Sequence, residues 1–274
     1  MFTNENLKRL ILPLIVEQIL AVTIGMSDTI MVSSVSEAAV SGLSIVDTIN
    51  ILLINIFAAL ATGGAVVCSQ YLGSQDRKRA CVAAKQLILS TGFLAVIIMV
   101  IALIGCTFIL QLVFPNVESS VMWNAQTYFR ISAWSYPFIA LYNSGAALFR
   151  SMGNSRISMI TSLFMNAFNI AGNAVLIYGF HMGVAGAAIS SLVSRILGSL
   201  FMLYLLRSPD NTIYIDDYRR LEFHPAMIRR ILTIGIPNGL ENGMFQIGKI
   251  LVQGLIAGFG TVAIARSEEH TSEL

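Results

Sequence analysis

Seven apolar runs, at 10–32, 45–71, 82–114, 123–149, 157–178, 184–206 and 231–259, follow one another along the 274-residue chain. Short polar breaks separate them, apart from one longer linker at 207–230. Each run reaches the roughly 17–25 residues that a helix needs to cross a hydrocarbon core. The second and third exceed that length, so they extend past the bilayer or tilt within it. Charged residues make up 12% of the chain, against roughly 25% in a soluble domain, too few to coat a water-facing surface. In lipid a segment must satisfy its own backbone polar groups. The expectation is therefore an all-α, polytopic membrane protein of about seven spans.

The basic residues give that bundle a direction. Lys8 and Arg9 precede the first run, and Arg77, Lys78, Arg79 and Lys85 surround the break after the second. Arg150 and Arg156 follow the fourth, while Arg207, Arg219, Arg220, Arg229 and Arg230 follow the sixth. The alternate breaks at 33–44, 115–122 and 179–183 contain neither Lys nor Arg. Under the positive-inside rule this alternation predicts a cytoplasmic N-terminus. The opening Met1-Phe2-Thr3-Asn4-Glu5 lacks the basic start and small-residue cleavage site of a secretory signal. The first run is thus expected to remain as a span.

Pro13-x3-Glu17 in the first run returns 224 positions later as Pro237-x3-Glu241 in the seventh. Recurrence in matching apolar surroundings points to two copies of one membrane unit with the same orientation, a parallel repeat. The copies share helix-kinking prolines, Pro13 and Pro237, but not their charges: at this offset Gly25 pairs with Lys249 and Asp28 with Val252.

Ionisable and amide groups inside a span are costly, and they face the bundle interior or a water-filled cavity. Glu17 and Asp28 are eleven residues apart, about three helical turns, and so lie on nearly one face. Function is favoured for both, with a loop-end role as the competing reading of Asp28. Asn166, Asn169 and Asn173 form a stripe on the fifth run that either lines a cavity or bonds neighbouring helices. The seventh run carries Asn238, Asn242, Gln246, Lys249 and Gln253 on one face, with Glu241 at its edge. Lys249 fits a structural ion pair or a cavity-lining charge equally well. Arg130 and Arg195 read as partner-bound structural residues, and Asp47 as a helix-end residue. The stretch at 224–230 reads either as a short surface helix leading into the seventh span or as a solvated loop.

Motifs for phosphate binding, zinc hydrolysis and nucleic-acid readout do not occur, and His181, His224 and His270 are scattered. No enzyme activity, cofactor or resident metal is expected. Cys68, Cys81 and Cys106 lack metal-ligand spacing and read as buried, reduced thiols.

Several stretches together resemble one family. Pro13-x3-Glu17-x10-Asp28-Thr29-Ile30-Met31-Val32 is similar to the first helix of multidrug and toxic compound extrusion (MATE) transporters. So are Gln70-Tyr71-Leu72-Gly73, Leu148-Phe149-Arg150-Ser151-Met152-Gly153-Asn154, Asn169-x3-Asn173 with Leu176-Ile177-Tyr178-Gly179, and Gly183-Val184-Ala185-Gly186-Ala187-Ala188. The resemblance covers about residues 5–265. It implies a two-lobe, monomeric transporter of twelve helices in the cell (inner) membrane, exporting small, often cationic compounds in exchange for Na+ or H+. It further implies that Asp28 is the first-lobe coupling carboxylate and Glu241 that of the second, each able to hold Na+ transiently. Asn169, Asn173, Glu17, Asn242, Gln246 and Lys249 are expected around the cavity. Some members carry Asp where Asn173 stands, so a proton shared between two carboxylates is not expected here. A lipid-linked oligosaccharide flippase of the same superfamily, or a non-transporting scaffold, is the alternative. The expected organisation is a six-helix lobe at 1–206, a cytoplasmic linker at 207–230 and the first helix of a second lobe at 231–265. Residues 266–274 resemble a translated sequencing adapter and are expected to be a non-native tail.

Overall fold

The computed structural model describes residues 4–114, 117–216 and 223–257, with side chains in these stretches from Ile11 to Gln246. Helix α1 runs over Asn4–Ser33, α2 over Glu37–Gly73 and α3 over Arg77–Val113. Helices α4 (Ser119–Ala133), α5 (Tyr136–Ser151) and α6 (Ser155–Asn173) follow, and α6 passes into a π-turn at Ala174–Gly179. Helix α7 covers Gly183–Leu206 and α8 covers Pro225–Ala257. Among the described residues there is no strand. The all-α expectation is met.

Among the described residues, five stretches are individually long and apolar enough to cross a membrane: Ile11–Ser33, Glu37–Gly73, Arg77–Val113, Ser155–Gly179 and Gly183–Leu206. The fourth expected span differs from its reading, because it is two helices rather than one. Pro137 lies at the start of α5. With no N–H it cannot bond the carbonyl four residues back. The junction residues Trp134 (φ −61°, ψ −22°) and Ser135 (φ −81°, ψ −14°) keep helical dihedrals, so the chain bends there without reversing.

Helix starts follow side-chain caps. Ser36 accepts the Ala39 N–H at 3.1 Å to open α2, and Asp76 accepts that of Arg79 at 3.0 Å to open α3. Because α2 begins at Glu37 and not at 45, Asp47 is a mid-helix residue about 15 Å in, which corrects its reading as a helix end. Gly153 takes φ +78° to end α5, a backbone state that costs glycine little.

Helix α2 is the centre of the bundle, touching α3, α4, α5 and α8, while α1 lies on α6 and α7 closes against α4, α5 and α6. Two apolar clusters fill the two ends. One gathers Leu43, Val46, Phe57, Tyr128, Phe129 and Tyr136; the other gathers Val67, Leu87, Leu148, Phe149, Met202 and Leu206. Helix α8 approaches α2 so closely that a Cβ at Gly63 would stand 2.6 Å from the Gly235 backbone. Small residues permit such contacts where lipid offers no hydrophobic drive for helix association.

Residues 207–216, the first part of the linker, pack against the bundle. Ile213 and Ile215 are buried in the second apolar cluster, and the Ile215 N–H bonds the Leu206 carbonyl at 2.9 Å. Arg77 donates to the carbonyls of Pro209, Asn211 and Thr212 at 3.2, 2.6 and 2.8 Å and lies over the Tyr214 ring. No separate surface helix covers 224–230, since α8 is continuous from Pro225. Arg230 then docks onto the Tyr71 hydroxyl and Gln70 Oε1 at 2.9 and 2.8 Å.

Candidate functional site

Three helices bring a carboxylate, two amides and two hydroxyls together. Asp28, near the end of α1, is 4% exposed, and its carboxylate takes a separate donor on each oxygen. Asn173 Nδ2 donates to Oδ1 at 2.5 Å, and Ser191 Oγ donates to Oδ2 at 3.0 Å. Asn169, one turn before Asn173, donates from Nδ2 to Ser191 Oγ at 2.9 Å. The Asn stripe thus points inward because its alternative, amides in lipid, would leave polar groups unsatisfied.

Close approach of α6 and α7 makes this geometry possible. A Cβ on Gly172 would overlap Ser190 Oγ, and that hydroxyl donates to the Asn169 carbonyl at 2.7 Å. Directly after Asn173 the helix widens into its π-turn, where the Phe180 N–H reaches back five residues to the Val175 carbonyl at 3.0 Å. Single π-turns are frequent where a helix presents functional side chains.

No cation pairs with the Asp28 carboxylate within ion-pair distance among the described residues. Its compensation is two neutral hydrogen bonds. Beside it, Asn173 Oδ1 is buried and accepts no hydrogen bond from the described residues. A buried ionisable carboxylate and a buried amide oxygen with a free acceptor thus stand on hydrogen-bonded neighbours. Hard monovalent cations and protons are bound by such oxygen sets.

Glu17 is placed differently. Its Oε1 lies 3.4 Å from Arg150 Nη1, and it also accepts from Ser158 Oγ at 2.8 Å and the Tyr142 hydroxyl at 3.3 Å. These partners stand on α5 and α6, so the Glu17 cluster ties α1 to both. Helix α1 stays helical through Pro13, and α8 through Pro237. Each proline leaves one carbonyl four residues back without its helical donor.

The structure does not bring the α8 candidates to Asp28. Glu241 and Asn242 are exposed, Gln246 is half-buried, and Asn242 Nδ2 reaches only Asn238 Oδ1 at 3.4 Å. The side chain of Lys249, and the expected tail at 266–274, lie outside the described residues.

Sequence reading missed Ser191, Ser158 and the Arg150 partner of Glu17. It also missed a polar set that joins α2 to α5, with Tyr136 donating to Asn50 and Asn50 to Asp47, and beside it the bond from Arg195 to Ser135. Serines are common in spans, and nothing in their own spacing sets Ser191 apart. The Arg150 signal was available: a lone Arg at a helix end, beside a span with an unexplained Glu.

The MatE family model matches residues 13–175, which is more than half of the chain. An uncharacterized transporter, YisQ of Bacillus subtilis, is 27% identical over 256 residues, covering 92% of this chain and 56% of its own length. A probable multidrug resistance protein, NorM of Thermotoga maritima, is 26% identical over 280 residues, covering 96% and 56%. The chain thus spans about half the length of the curated relatives it matches. Among solved structures, a MOP superfamily transporter from Pyrococcus furiosus aligns with a TM-score of 0.89 at 21% identity, covering 98% of this chain and 60% of that one. A MATE family transporter in an outward-facing conformation aligns with a TM-score of 0.85 at 21% identity, covering 92% and 55%. These relatives are transporters of the membrane and not enzymes. The inward-facing Asp28, its Asn partners and the helix order agree with the family match, and the chain belongs to the MATE family.

Proposed function

We propose that this chain supplies the first lobe of a secondary antiporter that exports organic, often cationic, compounds in exchange for Na+ or H+. Residues 1–206 form that lobe, 207–230 the cytoplasmic linker and 231–265 the first helix of a second lobe. The reading rests above all on Asp28, a buried carboxylate in a span with no ion-paired cation among the described residues and a free amide oxygen on its Asn173 partner. A cation or proton arriving there neutralises the carboxylate and gains the Asn173 oxygen. Asn169 holds Ser191 in place to donate to Asp28.

Alternating access follows from differential affinity. The coupling ion favours the state in which α1, α6 and α7 meet around Asp28, and substrate favours the other. Glu241 serves as the corresponding carboxylate of the second lobe, with Asn242, Gln246 and Lys249 near it. Glu17 closes the cavity wall at the basic end of the bundle through Arg150. On this reading the unit works as a monomer in the cell membrane, with the N-terminus and linker on the cytoplasmic side that the positive-inside rule favours.

The test is ethidium extrusion from an efflux-deficient bacterium by a two-lobe transporter carrying this sequence, under separate Na+ and pH gradients. Export driven by one gradient and lost in Asp28→Asn is the expected result. Absence of dye export, with lipid-linked sugar accumulating in a knockout, would favour a flippase and refute the reading.

A further inference from the structure

The buried face of α6 carries a polar group at every turn, from one carboxylate of α1 to the other. At one end Ser158 Oγ donates to Glu17 Oε2 at 2.8 Å, and at the other Asn173 Nδ2 donates to Asp28 Oδ1 at 2.5 Å. Between them stand Ser162, Asn166 and Asn169, all buried, at steps of three or four residues. Successive groups are thus about 5–6 Å apart along the helix. The other side of α6 is apolar and exposed, with Leu163, Phe164, Phe168 and Ile170. Helix α7 adds Ser191, bonded to Asn169 at 2.9 Å, and one turn later the buried Ser194.

Helix packing alone leaves Asn166 unexplained. Its Nδ2 donates to the Ser162 carbonyl of its own helix at 2.9 Å, which turns Oδ1 away from that carbonyl. The Oδ1 atom is buried and accepts no hydrogen bond from the described residues. Asn173 Oδ1 and Ser155 Oγ, also on α6, share that condition. A buried polar atom without a partner costs free energy, and an amide kept only to fasten helices together would have met a donor on the next helix. Polar groups at this separation are bridged by single waters.

We propose that this face of α6 is a water-lined proton path inside the lobe, joining Asp28 to the Glu17 end, with Asn166 Oδ1 holding water at its midpoint. Asp28 faces α6 and α7, whereas Ala21 and Gly25 of the same helix are exposed, so the carboxyl needs a route through the lobe. Release breaks the O–H bond of the protonated Asp28 carboxyl and leaves a carboxylate. Waters pass the proton along α6 to the Glu17 carboxylate, and Glu17, with its side chain 15% exposed, gives it up to solvent. Among the described residues, the ionisable side chains that are hydrogen-bonded to this path or belong to it are Glu17, Asp28, Tyr142 and Arg150. Single oxygens one turn apart suit a proton handed between waters, and not a metal cation, which needs several oxygens at one point. Asn166 and Ser162 are positioning residues, since they hold water and do not carry the proton. This assignment rests on Asp28 being the coupling carboxylate, and it names the proton as the ion.

The experiment follows the Asp28 carboxyl by time-resolved infrared spectroscopy after a pH jump. It uses the purified chain in lipid nanodiscs, with Asp28→Asn identifying the band. Asn166→Leu keeps the volume and removes the acceptor. It slows proton exchange at Asp28 about tenfold, the weight of one hydrogen bond on a barrier, and leaves the final extent unchanged. Asn166→Ser, which still holds water, stays within about threefold of the wild-type rate. A wild-type rate in Asn166→Leu overturns the proposal, and so does an equal slowing in Asn166→Ser or a change in extent without a change in rate. Should Asn166→Leu not fold, Ser162→Ala decides: a slowed rate at full extent supports the path, and a wild-type rate overturns it. The full proton signal persisting in Asp28→Asn refutes the coupling role itself. Wild-type protein that binds sodium-22 through Asp28 and takes up no proton refutes only the path, and protein that takes up neither ion refutes both.

Discussion

Glu17 and Asp28 stand on one helix, on nearly one face, and the bundle treats them in opposite ways. Glu17 receives a guanidinium, a serine hydroxyl and a tyrosine hydroxyl from α5 and α6. Asp28 receives one amide and one hydroxyl from α6 and α7, and no ion-paired cation among the described residues. A carboxylate already paired with a charge is a fastener. A carboxylate held only by neutral donors retains an attraction for a mobile cation. The comparison shows that the identity of a buried acid says less about its task than the charge of its partners.

The largest expected effect breaks the Asp28 side of the comparison. Asp28→Asn keeps the size of the side chain and removes its charge, and ion-driven dye export is expected to fall by about 100-fold, near the upper end of ordinary coupling energies. Transport assays under a Na+ or pH gradient check this, with retained thermal stability as the control. Next comes the Glu17 side. Arg150→Met leaves the Glu17 carboxylate without its cation and is expected to destabilise the bundle by about 2 kcal/mol, discounted from the cost of a fully buried pair. Thermal unfolding followed by a thiol-reactive dye suits this measurement, because Cys68 and Cys106 are buried in the folded chain. The double variant with Glu17→Gln should recover most of the loss.

Ser191→Ala removes one donor to Asp28 and is expected to cost about 1.5 kcal/mol of cation binding, roughly tenfold, as befits a hydrogen bond to a charged group. Sodium-22 binding or proton uptake reads it. Smallest is Ser158→Ala, which removes one of three partners of Glu17 and is expected to lower stability by about 1 kcal/mol without changing ion affinity. A loss of ion affinity in Ser158→Ala, or of stability alone in Ser191→Ala, would erase the contrast between the two acids.

Much of this was legible from residue spacing. The apolar runs and the basic breaks located α1, α2, α3, α6 and α7, and helical periodicity put Asn169 and Asn173 on one inward face before any neighbour was known. Partners across helices were not legible, because periodicity describes one helix at a time. Ser191 and Arg150 belong to other elements than the acids they serve. Asp47 was misplaced for a more local reason. Ser36 and Glu37 begin α2 in polar residues ahead of the apolar run, so counting only apolar residues moved the helix start by eight positions. The bend before Tyr136 was hidden likewise, since residues on both sides of Pro137 are apolar enough to read as one span.

Arg77 has two jobs that one substitution cannot separate. On the proposed topology it belongs to a basic break that orients the chain in the membrane, and as a clasp it gathers the carbonyls of Pro209, Asn211 and Thr212 and the face of Tyr214. Removing it to probe topology would also unfasten the linker from the lobe. An inverted or inactive variant would then have two indistinguishable origins. Its exposed neighbour Lys78 is the better place to put that question.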